Sequence, residues 1–131
     1  MSEASADRNE RVGWVDIPVV DVERAAGFYR EVLDIAVAVE TFGEHKVGVL
    51  DHGPGNGGCL VQPMDADWVP SRSGALIYLG VEGRIRDAVA KAQACGGEVL
   101  EDVNSIGPHG FRAVVVDSEG NRVALHSNVD A

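Results

Sequence analysis

The stretch Trp14-Val-Asp-Ile-Pro18, followed by Asp21-Val-Glu-Arg-Ala25, decides the fold because it joins a strand directly to a helix. Side chains alternate in character through residues 12–20, which predicts a strand. Pro18 has no backbone N–H, so this strand is expected to lie at a sheet edge or to end there. Asp21 suits a helix N-cap. The apolar residues that follow have the spacing of an amphipathic helix: Ala25, Phe28, Tyr29, Val32 and Leu33.

Three more strands are predicted after this helix, at residues 35–40, 46–50 and 59–62, and the second half of the chain repeats the pattern. Residues 75–81 form a strand, and Ile85, Ala88, Val89 and Ala92 form a second helical stripe that ends at Gly96-Gly97. Strands follow at residues 99–101, 111–116 and 122–126, the last two joined by a turn at 117–121. Residues 17–25 align with residues 79–87, so an internal repeat is present.

The repeat predicts an α+β fold of two tandem βαβββ modules whose curved sheets enclose a cavity. The chain has 131 residues, which suits one domain. We expect a disordered tail at residues 1–11 and a single domain at 12–127. Within that domain the predicted parts are module one at 12–63, a linker at 64–73 and module two at 74–127.

Charge and composition exclude several functions. Eleven Lys and Arg residues against 21 Asp and Glu give a net charge of −10, which disfavours nucleic acid and anionic membrane surfaces as partners. Residues 1–10 have no apolar core of the kind that a secretory signal contains, and no apolar run reaches the roughly 18 residues that could span a bilayer, so we expect neither a signal nor a membrane span. Cys59 and Cys95 lie far apart without metal-ligand spacing, so we expect a reduced, cytoplasmic protein.

Besides the first two motifs, four further segments carry a family resemblance: Phe28-Tyr29-Arg-Glu-Val-Leu33, Ala94-Cys-Gly-Gly-Glu-Val99, Ile106-Gly-Pro-His-Gly-Phe111 and Asp117-Ser-Glu-Gly-Asn-Arg-Val-Ala-Leu125. Together these segments resemble the vicinal oxygen chelate superfamily of glyoxalases, extradiol dioxygenases, fosfomycin-resistance enzymes and bleomycin-binding proteins. The resemblance spans residues 12–127, and the chain looks most like the small bacterial proteins described as glyoxalase-related. The superfamily supports many chemistries, so the fold alone does not assign one.

The resemblance implies four cavity-facing metal donors, and this sequence lacks most of them. Three of the positions are occupied by Trp14, Leu76 and Ala124, none of which binds a divalent cation. The fourth is Leu60 or Gln62, depending on how the glycine-rich loop is counted. We therefore expect no metal and no other cofactor, and we do not transfer the metal-dependent activities of the superfamily.

A polar set one pleat further along the strands is the predicted ligand site. Two residues beyond the lost metal positions come Asp16, Tyr78 and His126, which strand alternation places on the same face. Gln62 shares the face of Leu60. His109 lies in a loop that could cover the cavity mouth, and Trp14 could stack on a ligand. For each of these an ordinary structural role is the alternative: exposed polar residues at strand ends, packed aromatic rings, and an exposed loop histidine.

Apolar walls with a few polar groups favour a small organic ligand, so our first hypothesis is a metal-independent binding protein of the bleomycin-resistance type. The acidic charge would attract cationic ligands. The alternative is an enzyme of the lyase, isomerase or oxidoreductase class that uses Asp16 and His126 as general base and acid. A third is an interaction module with a filled cavity. We also predict a homodimer, and leave open whether the cavity lies within one chain or across two.

Overall fold

A computed structural model describes residues 11–131, apart from the side chain of Phe42. The predicted tail at 1–11 therefore lies outside the described residues except for Arg11. Among the described residues, no helix has both the length and the apolar character needed to cross a membrane. Module one consists of β1 (Trp14–Pro18), α1 (Val22–Leu33), β2 (Val37–Phe42), β3 (His45–Leu50) and β4 (Gly57–Val61). Module two consists of β5 (Ile77–Gly80), α2 (Ile85–Ala94), β6 (Glu98–Ser105), a short 3-10 helix (Gly107–His109), β7 (Phe111–Val116) and β8 (Arg122–Ser127).

Within the described residues each module forms its own four-stranded sheet, and the two sheets have equivalent strand orders. The strand order is β1-β4-β3-β2 in the first and β5-β8-β7-β6 in the second. The first and last strands of each module pair in parallel, and the other pairs are antiparallel. The predicted α+β fold of two βαβββ modules is confirmed. Pro18 lies on an edge strand, where its missing donor breaks no ladder.

The first helix begins and ends where its sequence specifies. The side chain of Asp21 accepts a hydrogen bond from the Arg24 amide and caps the N-terminus. At the other end, Asp34 adopts a left-handed conformation with φ of 55°, which stops the helix. One face of α1 is buried, through Val22, Ala25, Ala26, Phe28, Tyr29 and Val32.

The helix-covered faces of both sheets share a single core. Ile17 and Leu60 from the first sheet belong to the same apolar cluster as Val123 and Leu125 from the second. The helices α1 and α2 pack on each other, and the guanidinium of Arg84 donates to the Val32 carbonyl at 2.7 Å. The helix-free faces of the two sheets therefore point away from this core. The expectation that the sheets of one chain enclose a cavity is corrected, because helix packing between the modules keeps those faces apart.

The turn between β7 and β8 forms hydrogen bonds that connect module two to module one. Asp117 Oδ1 accepts the amides of Glu119 and Asn121, and Asp117 Oδ2 accepts the Tyr29 hydroxyl at 2.5 Å. The Asn121 side chain donates to the Pro18 carbonyl at 2.8 Å. A turn that the sequence predicts as a simple hairpin connection thus also joins residues about 90 to 100 positions apart, which makes it part of the module interface.

We expect Tyr29→Phe to lower the free energy of unfolding by roughly 1–3 kcal/mol, because it leaves a buried acceptor on Asp117 with one donor fewer. Burial and the Asp117 carboxylate both raise the pKa of Tyr29, so the hydroxyl remains a donor at neutral pH. The matched control is Tyr78→Phe at a half-exposed position, expected to change stability by less than about 0.5 kcal/mol. Urea unfolding followed by circular dichroism measures both, and equal effects would contradict the interface role.

Candidate functional site

Strand alternation divides the side chains of each sheet between the shared core and a helix-free surface, which we call open face one (β1–β4) and open face two (β5–β8). In β1, Val15 and Ile17 turn toward the core, whereas Trp14 and Asp16 belong to open face one. In β5 and β8, Ile77, Leu79, Val123 and Leu125 turn toward the core, so open face two carries Tyr78, Ala124 and His126.

Open face one carries an exposed aromatic ring beside a carboxylate. The rings of Trp14 and His52 meet edge to face at 5.4 Å. Gly57 makes this contact possible, since a Cβ there would lie 2.4 Å from the His52 ring. Asp16 is exposed and sits opposite Cys59 on the neighbouring strand. Burial raises the pKa of the Cys59 thiol and Asp16 raises it further, which favours the uncharged thiol over the nucleophilic thiolate.

Open face two carries a connected polar cluster. Arg112 lies directly opposite His126 on the neighbouring strand and donates from Nη1 to the Tyr78 hydroxyl at 2.5 Å. Its guanidinium carbon is also 5.9 Å from the centre of the Tyr78 ring, and Nη2 lies 3.4 Å from Glu101 Oε1. The rings of Tyr78 and His126 are 6.4 Å apart. We call Tyr78, Glu101, Arg112 and His126 the Arg112 cluster.

His109 contributes its backbone rather than its ring. The His126 ring nitrogen Nε2 lies 2.7 Å from the His109 carbonyl oxygen, which can only accept, so Nε2 carries a proton. The loop requires glycine at 110, because φ is +96° there and a Cβ would lie 2.6 Å from the Ser127 carbonyl. The His109 side chain is exposed, and the loop holds the His126 ring in place.

A family model described as a glyoxalase-like domain matches residues 14–126. The chain belongs to the glyoxalase-like family. It lies within the vicinal oxygen chelate superfamily, as its motifs predicted. No curated protein matches this sequence.

Solved structures share the fold of this glyoxalase-like chain at low identity. A glyoxalase/bleomycin resistance protein from Albidiferax ferrireducens is 15% identical, with 90% of this chain and 98% of that chain covered and a TM-score of 0.73. A glyoxalase-related enzyme from Fulvimarina pelagi is 19% identical, with 91% and 88% covered and a TM-score of 0.67. The fosfomycin resistance protein FosX from Listeria monocytogenes is 13% identical, with 91% of both chains covered and a TM-score of 0.67. At these identities the likeness shows the fold alone.

The donor set of this glyoxalase-like chain does not fit the divalent metal that the superfamily implies. The indole of Trp14, the side chain of Leu76 and the methyl group of Ala124 offer no metal ligand. At the fourth position the strand pairing puts Cys59 on open face one, opposite Asp16, so its thiol is the one donor left among the four. Within residues 11–131, no group of three or more His, Cys, Asp or Glu residues is arranged to hold a metal ion. We therefore derive no chemical step through a metal.

The predicted orientation of Leu60 and Gln62 is wrong. Leu60 is fully buried opposite Ile17 in the shared core, and the open-face residues of β4 are Cys59 and Val61. Gln62 is exposed one residue beyond the end of β4, and alternation places it on the side of Leu60, away from open face one. The register depended on the loop at 51–56, whose length along the chain does not determine where β4 begins.

A cleft of about 520 Å³ lies between the edge strands β1 and β5, on the side of the shared core. Val15, Ile17, Ile77 and Leu79 line its walls, with Asp51, His52 and Asn56 among the polar residues that line it. Of the six predicted ligand-binding residues, only Tyr78 lines this cleft. The cleft is therefore not the predicted cavity, because its walls in β1 are formed by the residues that alternate with Trp14 and Asp16.

One chain does not bring Asp16 and His126 to a common site. Asp16 is paired with Cys59 on open face one, and His126 is paired with Gly80 and Arg112 on open face two. The two faces belong to different sheets, and both point away from the shared core. A general acid–base pair would need two copies of the chain.

Sequence analysis missed Arg112 and Glu101. The pairing of Val116 with Arg122 across the hairpin turn places Arg112 opposite His126 by counting back along both strands. That count was possible from the turn at 117–121 alone, so Arg112 could have been found. Glu101 could not, because β6 and β7 shift register on both sides of it.

Proposed function

We propose that residues 12–127 form a single domain that binds a small organic molecule without a metal ion, as a homodimer in the cytoplasm. The ligand lies on open face two, against Tyr78 and His126, with Trp14 and Asp16 of a second copy opposite. The observation that carries this proposal is the chemistry of open face two: Ala124 stands where a metal donor would be needed, and the Arg112 cluster surrounds it. The exposed Tyr78 ring with a few polar groups beside it suits an organic ligand.

The edges of the sheets support a dimer. Among the described residues, β1 pairs with β4 alone and β5 pairs with β8 alone, so both have unpaired backbone groups. Large apolar side chains are exposed on or beside these edges, at Val12, Trp14 and Tyr78. A second copy that covers both edges would bring open face one of one chain to open face two of the other. The two unpaired cysteines are consistent with a reducing compartment.

Ligand binding ranks above catalysis because no described contact activates a reacting group. The enzyme hypothesis needs Asp16 and His126 at one site, and a single chain separates them. The bleomycin-resistance and fosfomycin-resistance names of the structural neighbours are compatible with a protein that handles small molecules. A filled interaction module ranks third, since both open faces keep exposed aromatic side chains.

Tryptophan fluorescence tests the proposal, because the chain has two tryptophans. In a Trp68→Phe variant, Trp14 alone reports on its face of the sheet. We titrate benzamide, benzylamine and benzoate as neutral, cationic and anionic aromatic probes, without metal and then with Mn²⁺, Ni²⁺ or Zn²⁺. At least one probe should quench Trp14 with an affinity that the metals leave unchanged, and Tyr78→Ala should weaken it about tenfold by removing an aromatic wall.

The control is a Trp14→Phe variant, in which Trp68 reports from the linker and should not respond to the probes. Sedimentation at micromolar concentration should give a dimer. Quenching that appears only after a metal is added, the absence of quenching by all three probes, or a monomer in sedimentation would each refute the proposal as stated.

A further inference from the structure

Arg112 places a positive charge at the centre of open face two, although the whole chain is strongly acidic. It is the one charged residue of β7, a strand whose other members are apolar. Ala113 and Val115 turn toward the shared core, so alternation turns Arg112 outward. The Arg112 side chain is 26% exposed to solvent. The net charge of −10 therefore describes the molecule as a whole and not this surface.

One edge of the Arg112 guanidinium lacks a full set of hydrogen-bond acceptors within the described residues. Nη1 is committed to the Tyr78 hydroxyl. On the side formed by Nε and Nη2, Nη2 has only the Glu101 carboxylate at 3.4 Å, and the buried Nε–H has no acceptor among the described residues. A buried donor without a partner destabilises the folded protein, so an acceptor that reached it would gain free energy. This Nε/Nη2 edge matches the two oxygens of a carboxylate, which can accept both N–H groups side by side.

The ion pair between Glu101 and Arg112 is weak enough for another anion to replace Glu101. Its side chain is 41% exposed, its contact with Nη2 is long for a charged hydrogen bond, and its strand is irregular on both sides. A half-exposed ion pair of this kind contributes little to stability. An incoming carboxylate would gain the unused Nε–H as well as Nη2, whereas Glu101 reaches Nη2 alone.

The surroundings suit the carbon skeleton of such an anion. Tyr78 presents an exposed ring beside Arg112, whereas the neighbouring side chains of Ala124 and Val114 are fully covered. His126 lies across the strand with its Nε2 proton directed at the His109 carbonyl. An aromatic or aliphatic group could lie against the exposed Tyr78 ring while its anionic end met Arg112.

We propose that the ligand of open face two is an organic monocarboxylate, bound through the Nε/Nη2 edge of Arg112 in exchange for Glu101. This inference rests on the proposed function and adds the chemical class of its ligand. It differs from the sequence-based expectation of a cationic ligand, because that expectation used the charge of the whole chain.

The same three probes test it in the Trp68→Phe background. Benzoate should bind at least about tenfold more tightly than benzamide, and benzylamine should bind weakest, since only benzoate satisfies both N–H groups. Arg112→Gln should weaken benzoate about tenfold or more and remove most of its preference over benzamide. Glu101→Gln should tighten benzoate by a factor of roughly two to five, the size expected for removing a weak competing ion pair.

An exposed Arg–Glu pair elsewhere provides the matched controls. Arg72 of the linker and Glu98 of β6 are 2.7 Å apart, so Arg72→Gln repeats the charge change of Arg112→Gln and Glu98→Gln repeats that of Glu101→Gln. Neither control should alter benzoate affinity. The Glu101→Gln result stands even if Arg112→Gln fails to fold. Benzamide or benzylamine binding as well as benzoate would refute this inference and leave the proposed function intact, whereas no response to any probe would refute both. Weaker benzoate binding in Glu101→Gln would refute the exchange.

Discussion

Replacing Glu119 with glutamine is expected to lower the free energy of unfolding by about 3 kcal/mol at pH 7. The Glu119 carboxylate is buried in the turn between β7 and β8, where it accepts the amides of Val20 and Asp21 at 3.0 and 2.9 Å. Arg24 donates to both of its oxygens, at 2.8 and 2.9 Å. The amides and Arg24 belong to module one, so the carboxylate holds the two modules together.

The pH dependence of stability follows from the pKa of Glu119. Burial by itself would raise this pKa, but the hydrogen bonds from Arg24, Asp21 and Ser118 outweigh burial and lower it from 4.5 to about 2. At about 1.4 kcal/mol per pH unit, the difference corresponds to about 3 kcal/mol. Because the pKa is lower in the folded protein, this stabilisation is complete above about pH 5 and is lost as the pH falls toward 2.

Urea unfolding at fixed protein concentration, repeated at pH 7, 5, 4 and 3, measures this effect. The wild type should lose stability steeply below about pH 5, and Glu119→Gln should show a smaller loss over that range. The control is Glu98→Gln, whose exposed carboxylate pairs with Arg72 and should change stability by less than about 1 kcal/mol. Parallel acid profiles for wild type and Glu119→Gln would show that Glu119 does not carry the effect.

Leu60→Ala is expected to lower the free energy of unfolding by roughly 2–5 kcal/mol, because it opens a cavity in the shared core. Leu60 is fully buried, lies opposite Ile17 and Gly48 on its two neighbouring strands, and sits beneath α1. This prediction also tests the register of β4. If Leu60 faced a ligand cavity, as the sequence-based register placed it, truncation would change probe binding more than stability.

The matched control is Leu100→Ala in β6, where the same side chain is partly exposed outside the shared core. Its expected cost is below about 1 kcal/mol. Thermal and urea unfolding of both variants give the comparison, with benzoate titration as the second readout. Equal destabilisation of the two variants, or a loss of probe binding in Leu60→Ala without a loss of stability, would overturn the observed register.

The sequence alone determined the parts of this protein that depend on local pattern. Strand alternation and helical spacing predicted the presence of each helix and strand in the described part of the chain, although β6 extends over 98–105 where 99–101 was predicted and the 3-10 turn at 107–109 was not predicted. The internal repeat predicted two βαβββ modules, and the resemblance to the superfamily, counted from Asp21 and Gly120, placed Trp14 and Ala124 where its metal-dependent members have donors. The strands and helices themselves follow from short stretches, where the backbone period relates sequence to direction.

The tertiary structure decided which groups meet across long separations in sequence. Packing of α1 on α2 turned the two open faces away from each other, which no periodicity describes. The loop at 51–56 decided that Cys59 and not Leu60 faces outward. Glu119 meets Arg24 across 95 residues, and Arg112 meets Tyr78 across 34. Such contacts depend on how the modules and strands pack, so the contacts of Arg112 with Tyr78 and Glu101 and the module interface became visible only in the folded chain.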